Sequence, residues 1–132
     1  MDERERQAAR TATGDRASGA GGDGGKGRVV TIFRSRLRPE SREAYESVAA
    51  EMERLARTMP GLVEVKSFAA DDGERVTIVV FDSLEHQRAW RDHPEHRRAQ
   101  LAGQRRFYSE YDISVCEVLR RRRFEAAPGP DA

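Results

Sequence analysis

Residues 62–81 read LVEVKSFAADDGERVTIVVF, in which two apolar runs of strand length flank Asp71-Asp72-Gly73. Valine, isoleucine and phenylalanine favour strands, and an aspartate–glycine pair is typical of the tight turn in a β-hairpin. A hairpin in the middle of a chain constrains the fold strongly, because the segments on either side must extend or cover the same sheet. The character of those flanking segments therefore decides the architecture.

The segment before the hairpin predicts a strand and then a helix. RVVTIFRSRL (28–37) alternates in the manner of a strand, and its second half becomes more polar on one face. From Tyr45 to Met59, apolar residues recur at three- and four-residue steps, which is the pattern of an amphipathic helix. Pro39 suits the start of that helix because a first-turn N–H has no partner to lose, and Pro60-Gly61 ends it.

The segment after the hairpin predicts two short helical pieces. Asp82 is the expected N-cap of a helix over residues 84–91, with Glu85 as its capping-box partner. The residue before a proline is disfavoured in helical conformation, so His93-Pro94 breaks this helix. A second piece is predicted from about Pro94 to Phe107.

A last alternating run, YDISVCEVLRRRRF (111–124), predicts a closing strand. The order strand, helix, strand, strand, helix pair, strand indicates an α+β fold of the ferredoxin-like split βαβ type, with a four-stranded antiparallel sheet and helices on one face. The other face keeps β-branched and aromatic residues without a cover. We therefore expect a homodimer formed across that face.

The two ends of the chain differ from its middle. Residues 1–27 contain almost no large apolar side chains and end in ASGAGGDGGKG, so we predict a disordered N-terminal leader. Residues 125–132 are predicted to be a similar C-terminal tail, which leaves 28–124 as the folded domain. The N-terminus lacks the apolar core of a signal peptide, and Cys116 has no cysteine partner in the chain. A cytoplasmic protein is expected.

Charge and hydropathy exclude two classes of partner. The chain has 24 basic and 23 acidic residues and a net charge of +1, whereas a dedicated nucleic-acid binder normally carries a clear basic excess. No apolar run approaches membrane-spanning length. We therefore expect neither nucleic acid nor membrane as a partner.

Three segments resemble the antibiotic biosynthesis monooxygenase (ABM) domain, a dimeric α/β-barrel relative of the ferredoxin-like fold. They are VVTIFRSRLRPESREAYESVAAEMERLARTMPGLVEVKSF, GERVTIVVFDSLEHQRAWRDHPEHRRAQ and YDISVCEVLR, which together extend from about Arg28 to Phe124. The most specific features are MPGL at the end of the first helix and AW…HPEHR after the hairpin. The resemblance implies a dimer and a small-molecule pocket between the sheet and the helices.

The family resembled here includes cofactor-free oxygenases of aromatic polyketides, quinol monooxygenases, haem-degrading enzymes and proteins without known activity. Its haem-degrading members carry a histidine about ten residues after the tryptophan and an asparagine on the first strand. In this chain Gln100 stands ten residues after Trp90, and there is no asparagine. Both differences count against haem degradation.

Trp90 and His96 are the predicted catalytic residues. Trp90 occupies the position at which the family resembled here often has a pocket tryptophan, so it is expected to stack on a planar substrate or to fill the core. His96 lies at the third position of the helix that Pro94 opens, where the positive end of the helix dipole disfavours an imidazolium. A neutral His96 could act as a base or hydrogen-bond partner, or could have a structural role. His93 is expected to cap the helix. No metal site is predicted, because the rings of His93 and His96 need not converge and no third ligand is obvious beyond Asp92 and Glu95.

Four further residues are candidates for substrate binding. Phe33 offers an apolar wall, and Arg34 could hold a phenolate or carboxylate, with a surface salt bridge as its alternative role. Tyr45 and Tyr108 can each pack the ring and place the hydroxyl at the edge of a pocket, with core packing as the alternative.

The leading functional hypothesis is a cofactor-independent monooxygenase that oxidises a small planar phenolic or quinol substrate with O2. In this chemistry the substrate supplies the electrons, so the protein needs only an apolar pocket, a base and exclusion of water. One alternative is a non-catalytic dimeric binding or stress protein. Another is a non-oxidative cyclase or isomerase that uses the same pocket for proton transfer.

Overall fold

The structure, a computed structural model, describes residues 25–129 of the chain. Four strands, three α-helices and two shorter helical turns follow one another in the predicted order. They are β1 (Val29–Leu37), a 3-10 turn (Pro39–Ser41), α1 (Arg42–Ala56), β2 (Leu62–Ala69), β3 (Arg75–Phe81), α2 (Leu84–Asp92), α3 (Pro94–Ala102), a π-helical turn (Gly103–Phe107) and β4 (Tyr108–Glu117).

The four strands form one antiparallel sheet in the order β2-β3-β1-β4. β1 lies in the middle, where Val29 pairs with Phe81 of β3 on one side and with Glu117 of β4 on the other. This order results from two β-α-β units folded onto one sheet, and it confirms the predicted ferredoxin-like α+β fold.

Side chains alternate between two sides of the sheet. The helices cover one side, here called the covered face, which in β1 carries Val29, Thr31, Phe33 and Ser35. The opposite side, here called the open face, carries Val30, Ile32 and Arg34 in the same strand. The alternation predicted for 28–37 is thus present.

The hairpin forms at the predicted turn. Ala70 N donates to Glu74 O at 2.8 Å and Gly73 N donates to Ala70 O at 3.0 Å, while Gly73 has φ +91°. Asp72 Oδ1 accepts from Glu74 N at 3.0 Å and so holds the backbone in the turn. The turn aligns β2 with β3 so that alternate valines reach the covered face.

A core cluster closes one end of the covered face. It contains Ala56 at the end of α1, Phe81 at the end of β3 and Trp90 in α2, which are 1%, 0% and 7% exposed. Gly61 connects α1 to β2 with φ +83°, and a Cβ there would collide with Asp82 and His86. Only glycine meets both requirements, which explains why the helix ends at MPGL.

Two predictions about element ends are wrong. Ser83, not Asp82, caps α2, because its Oγ accepts from His86 N at 3.2 Å, while Asp82 instead contacts the His86 ring. β4 begins at Tyr108 and ends at Glu117, so it starts before the predicted 111 and stops before the predicted 124, and the arginines at 120–123 follow it. Val29, the first residue of β1, pairs with Glu117, so within 25–129 β1 offers no further strand residue to the chain after β4.

Residues 1–24 of the predicted leader and 130–132 of the predicted tail lie outside the described residues. Of the leader, residues 25–27 form a turn in which Gly27 N donates to Val118 O at 3.3 Å. Residues 118–129 have no regular secondary structure. Within 25–129, no helix has both the length and the apolar character needed to cross a membrane.

Candidate functional site

Five aromatic side chains, here called the aromatic cluster, meet at one end of the covered face. The ring of Phe33 lies 5.2 Å from that of Tyr108 and 5.6 Å from that of Tyr111, measured between centroids. Tyr45 lies 5.9 Å from Tyr108 and 6.1 Å from Phe107, in both cases nearly edge to face. Such contacts are favourable for aromatic rings. Three of the four predicted substrate-binding residues, Phe33, Tyr45 and Tyr108, therefore come together.

The π-helical turn brings Tyr108 into this cluster. Gly103 begins the turn, and a Cβ at that position would lie 2.6 Å from Cε2 of Tyr108. The tyrosine ring thus packs directly on the glycine backbone. A π turn inside a helix is uncommon and often accompanies a functional site. The glycine within the predicted 94–107 helix was the sequence signal for this close approach.

The hydroxyl group of Tyr108 is hydrogen-bonded to that of Tyr45. Burial, the neighbouring Tyr45 phenol and a hydrogen bond with it raise the pKa of Tyr108 far above its usual value of 10. Tyr108 therefore keeps its proton at every physiological pH. It cannot act as a base, and the hydrogen bond that raises its pKa already engages its single proton with Tyr45.

Arg75 belongs to the same region, although the sequence reasoning did not single it out. It pairs with Ser35 in the sheet register, and its Cζ lies 5.3 Å from the centroid of the Tyr45 ring. Its Nε is buried without a hydrogen-bond partner within the described part of the chain. The alternation of β3 residues between faces, counted back from Phe81, was the signal that could have placed Arg75 on the covered face.

Trp90 and His96 form a second, separate contact. Their rings stack with centroids 3.9 Å apart and an angle of 15° between the planes. His93 lies between the two helices and caps α3 as predicted, because its Nδ1 accepts from Glu95 N at 3.2 Å. With Pro94 at the first position, the chain reverses so that α3 lays His96 back onto the indole.

The surroundings of His96 fix its protonation. Its Nδ1 lies 3.0 Å from the Trp90 carbonyl oxygen, which can only accept, and 3.3 Å from Gln100 Nε2, which can only donate and already donates to Arg91 O. The shorter contact assigns the proton to Nδ1. Burial lowers the pKa of His96 below the ordinary 6.5, and the nearby His93 lowers it further, against an opposing effect of the hydrogen bond to Trp90. The ring is therefore neutral near pH 7, with the lone pair on Nε2.

The aromatic cluster and the stacked pair of Trp90 and His96 lie at different ends of α1. Tyr45 is near the start of the helix and Ala56, which packs with Trp90, is at its end. Eleven residues at 1.5 Å each place them about 16 Å apart. The predicted catalytic pair and three of the predicted binding residues, Phe33, Tyr45 and Tyr108, thus lie at opposite ends of the covered face. A substrate that reaches both must be longer than one ring.

Arg34 lies neither in the aromatic cluster nor beside Trp90 and His96. It follows Phe33 in β1 and therefore lies on the open face. Its Nε and Nη2 donate to the two carboxylate oxygens of Glu74 at 3.2 and 2.9 Å, a bidentate ion pair. This is the salt bridge that the sequence left as the alternative role.

The helices leave part of the covered face exposed over β1 and β4. Tyr111 and Ile113 point to that face from the edge strand but remain 42% and 53% exposed. Between the two aromatic groups the sheet presents hydroxyls, and Ser67 Oγ lies 2.8 Å from Thr77 Oγ1. Aromatic rings and hydroxyls are thus accessible on this part of the covered face, which makes it the candidate place for a ligand.

The described residues show no metal-binding cluster, since within 25–129 no three histidine, cysteine or acidic side chains converge. Gln100, ten residues after Trp90, has a structural role. Its Nε2 donates to Arg91 O at 3.1 Å and lies 3.3 Å from His96 Nδ1. It thus supports the turn between α2 and α3.

Known structures share this fold. The Rv0793 protein from Mycobacterium tuberculosis matches with a TM-score of 0.65 at 20% identity, over 71% of this chain and 97% of that protein. SnoaB from Streptomyces nogalater, a cofactor-independent oxygenase, matches with a TM-score of 0.60 at 18% identity, over 80% of this chain and 99% of SnoaB. At these identities the likeness establishes the fold.

Sequence comparisons extend the likeness to the family. The uncharacterised protein YqjZ of Bacillus subtilis is 33% identical over 96 residues, which are 73% of this chain and 83% of YqjZ. The family model for antibiotic biosynthesis monooxygenase matches residues 28–102, from β1 to the end of α3. With the sheet order, the MPGL helix end and the Trp90 segment all in place, the chain belongs to the antibiotic biosynthesis monooxygenase family.

Proposed function

We propose that this protein is a cofactor-independent monooxygenase for a planar phenolic or quinol substrate that binds on the covered face. Phe33, Tyr45 and Tyr108 form the wall against which the rings pack. His96 is the base, and Trp90 holds it in place. The SnoaB likeness and the family support this reaction class.

The observation that carries the proposal is the neutral imidazole of His96. Its Nδ1–H is held by the Trp90 carbonyl, so Nε2 keeps a lone pair near pH 7. A base of this kind, fixed by an orienting hydrogen bond, is what proton abstraction needs. Among the described histidines, His86 instead pairs with Asp82 at the surface, and His93 uses Nδ1 as a helix cap.

The reaction balances without a cofactor. Nε2 of His96 takes a proton from a phenol or from a ring CH2 between phenolic rings, and the resulting anion reacts with O2 at carbon. When the O–O bond of the peroxide breaks, one oxygen remains as a carbonyl. The other leaves as water with the second hydrogen of the CH2 and the proton returned by His96. All four electrons that reduce O2 come from the substrate.

Oxygen uptake tests this proposal directly. With a panel of anthrones and fused-ring hydroquinones, and no added flavin or metal, we expect O2 consumption in a 1:1 ratio with quinone product. A uniform lack of uptake across the panel would contradict the monooxygenase assignment. Tight ligand binding without uptake would favour the non-catalytic binding protein, and isomerised product without uptake would favour proton transfer alone.

A homodimer is the second part of the proposal. The open face presents Val30, Ile32, Val76 and Ile78 half-buried, together with Phe68, which is 48% exposed. Beside this patch, Glu64 carries a negative charge and Lys66 a positive one. A two-fold axis lets the two copies place these opposite charges near each other. Cys116 is also exposed there, and a reducing cytoplasm would keep its thiol free.

Light scattering during gel filtration tests the dimer. We expect twice the mass of the chain for the wild type and the mass of a single chain for Ile78→Asp, because a charge in the apolar patch resists burial. Ala50→Asp on the exposed side of α1 is the matched control and should leave the mass unchanged. A monomeric wild type at micromolar concentration would contradict the dimer.

A further inference from the structure

Arg75 differs from the arginines that neighbour it in the sheet. Arg34 forms a bidentate pair with Glu74, and Arg36 pairs with Asp72 at 2.8 Å and with Glu110 at 3.1 Å. The guanidinium of Arg75 makes no hydrogen bond or ion pair with any residue from 25 to 129. This difference is unexpected in a chain in which 36% of the residues are charged.

The surroundings of Arg75 make an unpaired charge costly. Its side chain is half-buried on the covered face, its Nε is shielded from solvent, and its Cζ lies 5.3 Å from the Tyr45 ring. A cation over a ring is stabilised, but a cation–π contact replaces only part of the lost hydration. An anion bound to Nη1 and Nη2 of Arg75 would replace the remaining lost hydration.

From this geometry we propose that Arg75 is the anion-recognition residue of the substrate site and that the natural ligand is a planar aromatic compound carrying a carboxylate. The inference rests on the proposed location of the substrate on the covered face. It moves anion binding from the predicted Arg34 to a residue on the opposite side of the sheet.

The positions of the neighbours favour a carboxylate attached to a ring system. The terminal nitrogens of a guanidinium match the two oxygens of a carboxylate. Tyr45 already stacks on Arg75, and Phe33 and Tyr108 continue the aromatic surface away from it. A ligand with its carboxylate on Arg75 therefore lays its rings along the covered face, against the rings of Phe33 and Tyr108.

Equilibrium binding to matched ligands tests the assignment. With 3-hydroxy-2-naphthoate and its neutral counterpart 2-naphthol, measured by calorimetry, we expect the wild type to prefer the acid. Arg75→Gln should weaken binding of the acid by about 10- to 100-fold, the usual range for a hydrogen bond to a charged group, and leave binding of the naphthol nearly unchanged. Arg75→Lys should recover part of the loss.

Arg57→Gln is the control, because Arg57 pairs with Glu53 on the exposed side of α1 and is far from the aromatic cluster. It should bind both ligands as the wild type does. Equal weakening of acid and naphthol by Arg75→Gln would overturn the inference, because it would indicate a packing role, and so would equal affinity of the wild type for the two ligands.

The two proposals can fail separately. Binding of the acid that depends on Arg75, without O2 uptake, would support anion recognition and contradict the oxygenase. Turnover of neutral anthrones at the same kcat/KM in wild type and Arg75→Gln, together with no preference for the acid, would leave the oxygenase standing and overturn the role of Arg75.

Discussion

Replacing Trp90 by alanine is expected to lower the free energy of unfolding by about 3–5 kcal/mol, the range for removing a large aromatic side chain from a core. Trp90 is 7% exposed and packs with Ala56 and Phe81, and its other side carries the His96 ring. Small domains are stable by only about 5–15 kcal/mol, so this loss is a large share of the total. Urea denaturation followed by circular dichroism measures it.

Two comparisons make the result interpretable. Trp90→Phe keeps a ring against Phe81 and should recover more than half of the loss. Leu101→Ala is the surface control, since Leu101 is 50% exposed and should cost well under 1 kcal/mol. A Trp90→Ala variant as stable as Leu101→Ala would show that the indole is not a core residue.

The fold could be predicted because local signals agreed with each other. The DDG turn, the strand alternation of 28–37 and the 3.6-residue period from Tyr45 each point to one arrangement, and the sheet order follows from them. Element ends were harder. Asp82 and Ser83 are both good caps, and only the backbone angles at Ser83 decide which side chain reaches the His86 N–H.

The site was less predictable because it depends on which face of the sheet each residue occupies and on the distances between the residues. Phe33 and Arg34 are adjacent in sequence, yet strand geometry places them on opposite sides of the sheet. Arg75 is an ordinary residue at the start of a strand until the structure shows that its Nε is buried beside Tyr45. The separation of about 16 Å between the aromatic cluster and the Trp90–His96 pair follows from the length of α1, and no sequence motif indicates it.

His96→Gln is expected to reduce kcat of the O2-consuming reaction by about 10²- to 10⁴-fold, the usual contribution of a general base. Glutamine can still donate to the Trp90 carbonyl and fill the space over the indole, so the fold should remain intact. His86→Gln is the matched control, because His86 pairs with Asp82 near the surface, and it should retain activity. Steady-state oxygen electrode measurements give both values.

The pH profile separates a base from a structural residue. Because burial lowers the pKa of His96, the acid limb of kcat/KM should lie below pH 6.5 in the wild type and should be absent from the residual activity of His96→Gln. The unfolded chain binds the proton at its ordinary pKa, so wild-type stability should fall as the pH drops through the interval from 6.5 to the folded pKa. A variant with full activity and an unchanged acid limb would show that His96 is not the base. If stability alone changed, the role of His96 would be to pack on Trp90.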